Sequence, residues 1–470
     1  MNMILNTDSY KASHYLQYPP KTEYVFSYIE SRGSAGDNNI YDSSNQPLRM
    51  TETVFFGLQI YLKEYLSKPI SREDIEEAAE IFAAHGEPFN REGWEYILNE
   101  HGGYLPLKIR AVPEGMVVPT KNALVTVINT DPKCFWLTSY IETGLMRAVW
   151  YPVTVATVSW RIKNLISRYM QYTSYEEDVS FKLHDFGARG VSSKESAGIG
   201  GLAHLVNFMG TDTVEALVYG RKYYGANMPG FSIPAAEHSS ITTWGRDKEV
   251  DAYRNMLTQF AKPGSMVAVV SDSYDIYKAS KDIWGGVLKQ EVIDSGATII
   301  IRPDSGNPAS TVLKVLRALG DTFGTTRNKK NYKVLNHVRV IQGDGIDEFS
   351  IKEILEAMKL NNWSVENVAF GMGGALLQHS NRDTLKFAMK ASAAYVDGEW
   401  VDVYKDPVGD SSKASKKGMF TLIRNKETNE VYTGAYVHHP YLEDIMETVF
   451  LNGEIVKEYT LDEVRENAKK

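Results

Sequence analysis

The stretch I-I-I-R-P-D-S-G, from Ile299 to Gly306, places a guanidinium and a carboxylate, Arg302 and Asp304, directly after three β-branched apolar residues. Such a run reads as a strand buried on both faces, and the polar residues that follow stand where it delivers its side chains, at the mouth of a site. Asp344, within G-D-G at Gly343 to Gly345, adds a second carboxylate. Together these supply what a phosphorylated sugar requires: a guanidinium for charge, and carboxylates for ribose hydroxyls or for a Mg²⁺ bound to pyrophosphate. A structural ion pair would use the same residues.

The glycines of G-M-G-G, Gly371 to Gly374, and of G-D-G let backbone N–H groups approach an anion closely. Each alone is also explained by a tight strand-to-helix turn. In S-D-S-Y-D, Asp272 and Asp275 suit the start of the next helix, Asp275 above all. His238 stands beside Glu237 in P-A-A-E-H-S. A lone histidine is commonly a packed or surface residue, but a carboxylate neighbour could hold its tautomer for nucleophilic work.

The elements that must position these residues share one grammar: a short apolar run closing on Gly, Asp, Arg or His before a helical pattern. It recurs from Phe181, Phe208, Met266, Val340 and Val368, which with Ile299 makes six, and more weakly from Phe231. Strands alternating with helices at this spacing form right-handed parallel βα units, and about eight of them close into a barrel with the reactive residues on the C-terminal rim. The fold class read here is α/β, an irregular βα barrel. A doubly wound open sheet would also bind at strand C-termini, and periodicity does not separate the two.

At 470 residues the chain exceeds a single core. Lys and Arg number 51 against 59 Asp and Glu, a net charge of −8 that argues against general nucleic-acid binding through a basic surface. The single cysteine, Cys134, precludes an intrachain disulfide, fits a reducing compartment, and reads as packing between Pro132 and Trp136. With no cationic apolar leader and no long apolar run, the expectation is a cytoplasmic protein without a membrane partner.

Asn6 to Pro20 concentrates Tyr10, Tyr15, Tyr18 and His14, aromatic groups that must dock on the body of the subunit or serve as a lid to a ligand or neighbour. Tyr24 to Arg32 alternates as a strand, and the polar run Gly33 to Leu48 reads as a surface loop. Helical spacing covers Thr53–Leu66, Arg72–Ala84, and Trp136–Tyr169 with a break at Pro152. Leu107–Val112 and Ala123–Thr130 read as a small antiparallel sheet. The resulting division is an α+β region over 1–175, a barrel over 176–395, and a tail over 396–470 that folds back on the first region.

N-T-D-S-Y-K, H-D-F-G-x-R-G-V-S-S, G-T-D-T, P-A-A-E-H-S, V-V-S-D-S-Y-D-I-Y, I-R-P-D-S-G-N-P, V-I-Q-G-D-G and K-D-P-V-x-D occur in one order between Asn6 and Lys469. Carrying them all, the chain resembles the nicotinamide phosphoribosyltransferase family. The resemblance implies a type II phosphoribosyltransferase fold and transfer of 5-phosphoribosyl from phosphoribosyl pyrophosphate to nicotinamide in NAD salvage. It also implies Mg²⁺ held mainly through pyrophosphate, ATP as co-substrate, and a homodimer with active sites at the subunit interface.

Residue by residue, Phe186 and the partner subunit's Tyr10 correspond to the two faces of a sandwich around the pyridine ring. Arg189 and Asp212 correspond to contacts of the carboxamide, with Ser232 among the substrate-binding positions. Arg302, Asp304 and Asp272 match residues around the ribose, and Gly343, Asp344, Gly373 and Gly374 match the phosphoribosyl cradle. Arg32, Arg382, Lys390 and Lys405 match basic groups that meet phosphates, and His238 matches the histidine that ATP phosphorylates.

Ala188, Met372, Ala375 and Ala388 depart from the family pattern, which bears on affinity rather than on reaction class. The related alternative is nicotinate phosphoribosyltransferase, disfavoured because Asp212 would repel a carboxylate. A non-catalytic binding or signalling protein on the same scaffold is a reading of another class. A metal hydrolase lacks a closely spaced His pair.

Overall fold

The computed structural model describes residues 2–33, 50–405, 415–435 and 437–469. The loop read at Gly33 to Leu48, beyond Gly33 itself, and residues 406–414 of the tail motif lie outside these. The chain forms two compact units, one of residues 1–157, 222–226 and 380–470 and one of residues 158–221 and 227–379.

In the first unit, a seven-stranded sheet runs in the spatial order Glu399–Asp402, Phe387–Val396, Thr22–Ser31, Ala123–Asn129, Leu107–Ala111, Glu447–Leu451 and Glu454–Ile455. Every pairing is antiparallel. Glu447–Leu451 of the tail pairs with Leu107–Ala111, adding a strand to the sheet read over Leu107 and Ala123. The division differs from 1–175, 176–395 and 396–470: Phe387–Val396 belongs to this sheet because it pairs along the length of Thr22–Ser31 and buries Phe387, Met389, Ala393 and Ala394 there.

Two helical expectations change. Glu52–Val54 is a strand against Val117–Pro119, and helix begins only at Leu58. Glu142–Thr173 is one helix with Pro152 inside it. An internal proline costs about 3 kcal/mol, but Leu145, Val149, Val153 and Ala156 are all fully buried along the same helix. At about 1.5–3 kcal/mol for each such side chain, their packing outweighs the break.

The second unit is built on six parallel strands, β1 Leu183–Asp185, β2 Gly210–Thr211, β3 Met266–Val270, β4 Thr298–Arg302, β5 Val338–Gln342 and β6 Val368–Met372, ordered β2-β1-β6-β5-β4-β3. Their cores are fully buried apolar residues such as Leu183, Val267, Ile299, Ile301, Val340 and Phe370. Between β2 and β3 the weak motif at Phe231 bridges both edges in parallel fashion, Phe231 to Gly210 and Ala235 to Ala268. Pro234 has no N–H to give a ladder, so this segment makes isolated bridges and no regular strand.

The ring is lined by one apolar cluster of Ala268, Ile300 and Ile341 with Phe186, Ile233 and Ala369. Each comes from a different segment around the circle. This is the irregular barrel, and the open-sheet alternative falls because both edges are joined. Among the described residues no helix is long and apolar enough to cross a membrane.

Candidate active site

The C-terminal ends of β1 to β6 bring together most of the residues singled out in the barrel. Beyond β4, Arg302 donates to Asp304 Oδ1 from Nε at 3.1 Å and from Nη2 at 2.8 Å. Asp272, which follows β3, has a side chain only 4% exposed, and both its oxygens are engaged. Oδ1 lies 3.0 Å from His238 Nε2, while Oδ2 accepts from the Asp304 N–H at 3.0 Å and from Ser305 Oγ at 2.6 Å. His238 Nδ1 is 4.0 Å from Asp304 Oδ2. Five residues from three chain segments thus form one network.

Asp272 is accordingly no helix cap, whereas Asp275 is one, accepting from the N–H groups of Tyr277 and Lys278. His238 opens the short helix His238–Thr242, for which Glu237 is the N-cap. The carboxylate that touches its imidazole is Asp272, not neighbouring Glu237.

Around β1 and β2, Phe186 lies with its ring centroid 5.4 Å from the Arg302 guanidinium. The ring occupies the space that side chains at Gly371 and Gly343 would fill: a Cβ built on Gly371 falls 1.9 Å from Phe186 Cε2, and one on Gly343 falls 3.4 Å from the same atom. Gly371 is thus required by an aromatic ring as well as by any anion, whereas a Cβ at Gly343 would only touch that ring. Asp212 is exposed at the rim, with Ser232 Oγ donating to its Oδ1 at 2.5 Å. Arg189 is exposed on the turn Ala188–Gly190. Gly373 and Gly374 begin the short helix Gly374–Leu377, close to Phe186 and Gly190, and Asp344 is exposed after β5.

Tyr10, Arg32, Arg382, Lys390 and Lys405 belong to the first unit. Tyr10 is 55% exposed, while its neighbours in sequence dock, Tyr18 on Phe135 and His14 on Ser139. Burial holds the Lys390 ammonium below its usual range; Glu142 opposes this, and the positive charges of Arg32, Lys405 and Lys11 add to it. A half-buried cation crowded by three others is an environment that an anion relieves. Among the described residues, Arg32 also keeps a buried Nη2 without a partner. Arg382 is exposed and pairs with adjacent Asp383.

Three residues at the barrel site escaped the sequence reading. His184 lies on the same face of β1 as Phe186, and burial lowers its pKa against the raising effect of Asp212. Asp185 is fully buried, and Ser305 completes the Asp272 network. His184 and Asp185 stand inside H-D-F-G, where period-two alternation marks His184 as an inward neighbour of Phe186.

For Mg²⁺, Asp304 and Asp344 offer hard oxygens at the rim, but Asp272 is saturated by hydrogen bonds. Among the described residues the group of three His, Cys or carboxylate donors within 4.8 Å of one another is His101, Asp131 and Cys134, in the first unit. The rim groups that could contact a Mg²⁺ are therefore the carboxylates of Asp304 and Asp344. Cys134 is buried, and burial with the nearby Asp131 charge pushes its thiol up to about 12, as packing implies.

Residues 181–454 match the model of the nicotinate phosphoribosyltransferase (NAPRTase) family, and residues 2–109 match that of the nicotinamide phosphoribosyltransferase N-terminal domain. The chain is 55% identical over 474 residues to a nicotinamide phosphoribosyltransferase of Xanthomonas campestris pv. campestris (strain 8004), spanning 99% of this chain and 98% of that one. It is 32% identical over 497 residues to one of Acinetobacter baylyi, spanning 99% and 97%. Among solved structures, a nicotinate-nucleotide pyrophosphorylase of Pyrococcus furiosus superposes with a TM-score of 0.64 at 17% identity, over 100% of this chain and 95% of that one. The human nicotinic acid phosphoribosyltransferase gives 0.55 at 15% identity, over 98% and 92%. At these identities the two structures speak to the fold alone.

Proposed function

The chain belongs to the nicotinate phosphoribosyltransferase family, within which it matches nicotinamide phosphoribosyltransferases over its whole length, and from that premise we propose that it makes nicotinamide mononucleotide in NAD salvage. The pyridine nitrogen of nicotinamide attacks the anomeric carbon of phosphoribosyl pyrophosphate. The bond from that carbon to the pyrophosphate oxygen breaks, and pyrophosphate leaves with the electron pair. Positive charge develops on the sugar, so the protein's work is positioning and electrostatic stabilisation rather than nucleophilic attack.

Phe186 supplies one face of the ring site and Asp212 accepts the amide N–H, with Ser232 fixing one carboxylate oxygen and Arg189 beside the carboxamide. The placement of Asp212 carries the reading, because an exposed, oriented carboxylate accepts from an amide but repels the carboxylate of nicotinate. Arg302, Asp304 and Asp272 frame the ribose, and Gly343, Asp344, Gly373 and Gly374 cradle the phosphoribosyl group. Tyr10 covers the other ring face from the partner subunit of a homodimer, and its exposure supports that role. Arg32, Lys390, Lys405 and Arg382 meet phosphates. Mg²⁺, when bound with the pyrophosphate, neutralises the leaving group.

ATP enters through His238. With Nε2 directed at Asp272, Nδ1 is left to take the γ-phosphoryl group as ADP leaves, and hydrolysis of the phosphohistidine then releases phosphate. A cytoplasmic location belongs to the same proposal. The decisive experiment incubates purified protein with phosphoribosyl pyrophosphate, Mg²⁺ and either nicotinamide or nicotinate, with and without ATP, and follows mononucleotide formation. Preference for nicotinate would replace the reading by the alternative, and absence of turnover with both would return the chain to a binding role.

A further inference from the structure

We propose that Asp185 is the positioning residue that fixes the spacing between the ring of Phe186 and the carboxylate of Asp212. The inference rests on the reading of these two residues as the pyridine-base site.

Asp185 ends β1 and precedes Phe186, yet its side chain points away from the site and is fully buried. One oxygen, Oδ1, accepts from the Gly187 N–H at 2.7 Å, which pins the residue after Phe186. The other, Oδ2, accepts from Thr211 Oγ1 at 3.2 Å, and Thr211 Oγ1 in turn accepts from the Thr213 N–H at 3.0 Å, so the residues on both sides of Asp212 are tied to it. The buried Thr213 hydroxyl, without a hydrogen-bond partner among the described residues, faces the same carboxylate. The backbone carbonyl of Asp185 accepts the N–H of Asp212 itself at 3.0 Å.

One buried residue therefore holds the two loops that present the ring face and the amide acceptor. Elsewhere the Phe186 N–H donates to Met372 O on β6 and Asp212 accepts from Ser232, while His184 lies near both the Phe186 ring and the Asp212 charge without a hydrogen bond to either among the described residues. A Cβ at Gly201 would lie 3.0 Å from Asp185 Oδ2, so the carboxylate takes up space that the missing side chain leaves. Burial raises the Asp185 pKa against the donors that face it, and the Asp212 charge adds to that rise. A carboxylate kept buried at this cost is the kind of group retained for geometry.

The test uses the full chain with Asp185→Ala and Asp185→Asn, measuring KM for the pyridine base and for phosphoribosyl pyrophosphate, with thermal unfolding in parallel. Losing hydrogen bonds to a charged group is worth roughly a 10- to 100-fold change, and Asp185→Ala is expected to raise KM for the base by about that factor while KM for phosphoribosyl pyrophosphate stays within roughly 3-fold. Asp185→Asn is expected to recover most of the loss, since Oδ1 can still accept from Gly187 and the threonine hydroxyl can turn from donor to acceptor. Should Asp185→Ala fail to fold, Thr211→Val removes one of the tethers and is expected to raise KM for the base alone by roughly 3-fold or more. Equal rises in both KM values, or a fall in unfolding temperature with KM for the base unchanged, would overturn the proposal. Whether the unsubstituted protein prefers nicotinamide is read separately, and the same split in KM applies to whichever base it accepts.

Discussion

Gly371→Ala is the substitution for which the structure makes the most specific demand. Its Cβ would fall 1.9 Å from Cε2, 2.2 Å from Cδ2 and 2.8 Å from Cζ of Phe186, with no backbone atom among these neighbours. Restoring ordinary contact at about 3.4 Å requires the ring edge to retreat by roughly 1.5 Å. The backbone cannot supply that movement without breaking the 3.0 Å bond from Phe186 N–H to Met372 O, so the ring must swing about its own side-chain bonds. Overpacking of this kind costs about 1–3 kcal/mol of stability. A displaced stacking face forfeits about 0.5–1.5 kcal/mol of aromatic contact, which is a roughly 2- to 10-fold rise in KM for nicotinamide. Steady-state kinetics with each substrate varied, together with thermal unfolding, measure both effects. Phe186→Leu in the Gly371→Ala background should regain stability without regaining KM, because the smaller side chain relieves the clash but offers no ring. A folded Gly371→Ala protein with unchanged KM for nicotinamide would refute the placement of the base on Phe186.

His204 is fully buried, with Nδ1 3.0 Å from Ser159 Oγ and Nε2 3.2 Å from Gly210 O, and burial depresses its pKa to about 3. Between the unfolded value near 6.5 and that folded value the unfolded chain binds the extra proton, so stability falls as pH drops; from pH 6.5 to 5 the loss is about 2 kcal/mol. Urea unfolding at the two pH values should show it, and in His204→Gln the loss should shrink. Asp212→Asn should weaken nicotinamide use and narrow the gap to nicotinate, and an equal loss on both would make Asp212 structural. Tyr10→Ala and Asp304→Ala should each be nearly inactive, yet regain activity on mixing, since a mixed dimer has one site with neither change; exchange of subunits without recovery would place Tyr10 in its own subunit's site. His238→Ala should lose ATP hydrolysis and acid-labile phosphate incorporation but keep slow synthesis at high phosphoribosyl pyrophosphate, and continued ATP hydrolysis in step with product would exclude His238 as acceptor.

What the sequence determined by itself is whatever depends on near neighbours along the chain. The run Ile299–Ile301 before Arg302, and its counterparts before Asp272, Gly343 and Gly371, mark buried strands and the polar ends they deliver, because burial on both faces selects apolar residues at most positions of the strand. The motifs in their order were enough to indicate the family. Tertiary structure alone decided which of these ends meet. His238, Asp272 and Asp304 are separated by 34 and 32 positions, and only the ring of parallel strands sets them within hydrogen-bond reach. It also decided that Phe231–Ala235 joins both edges, and that Phe387–Val396 pairs with Thr22–Ser31 across more than three hundred residues. The helix through Pro152 and the buried role of Asp185 belong to the same class. A local pattern states that a residue will be buried or will break a helix, but the partner that compensates it comes from a distant segment, and that choice is made by packing over the whole core.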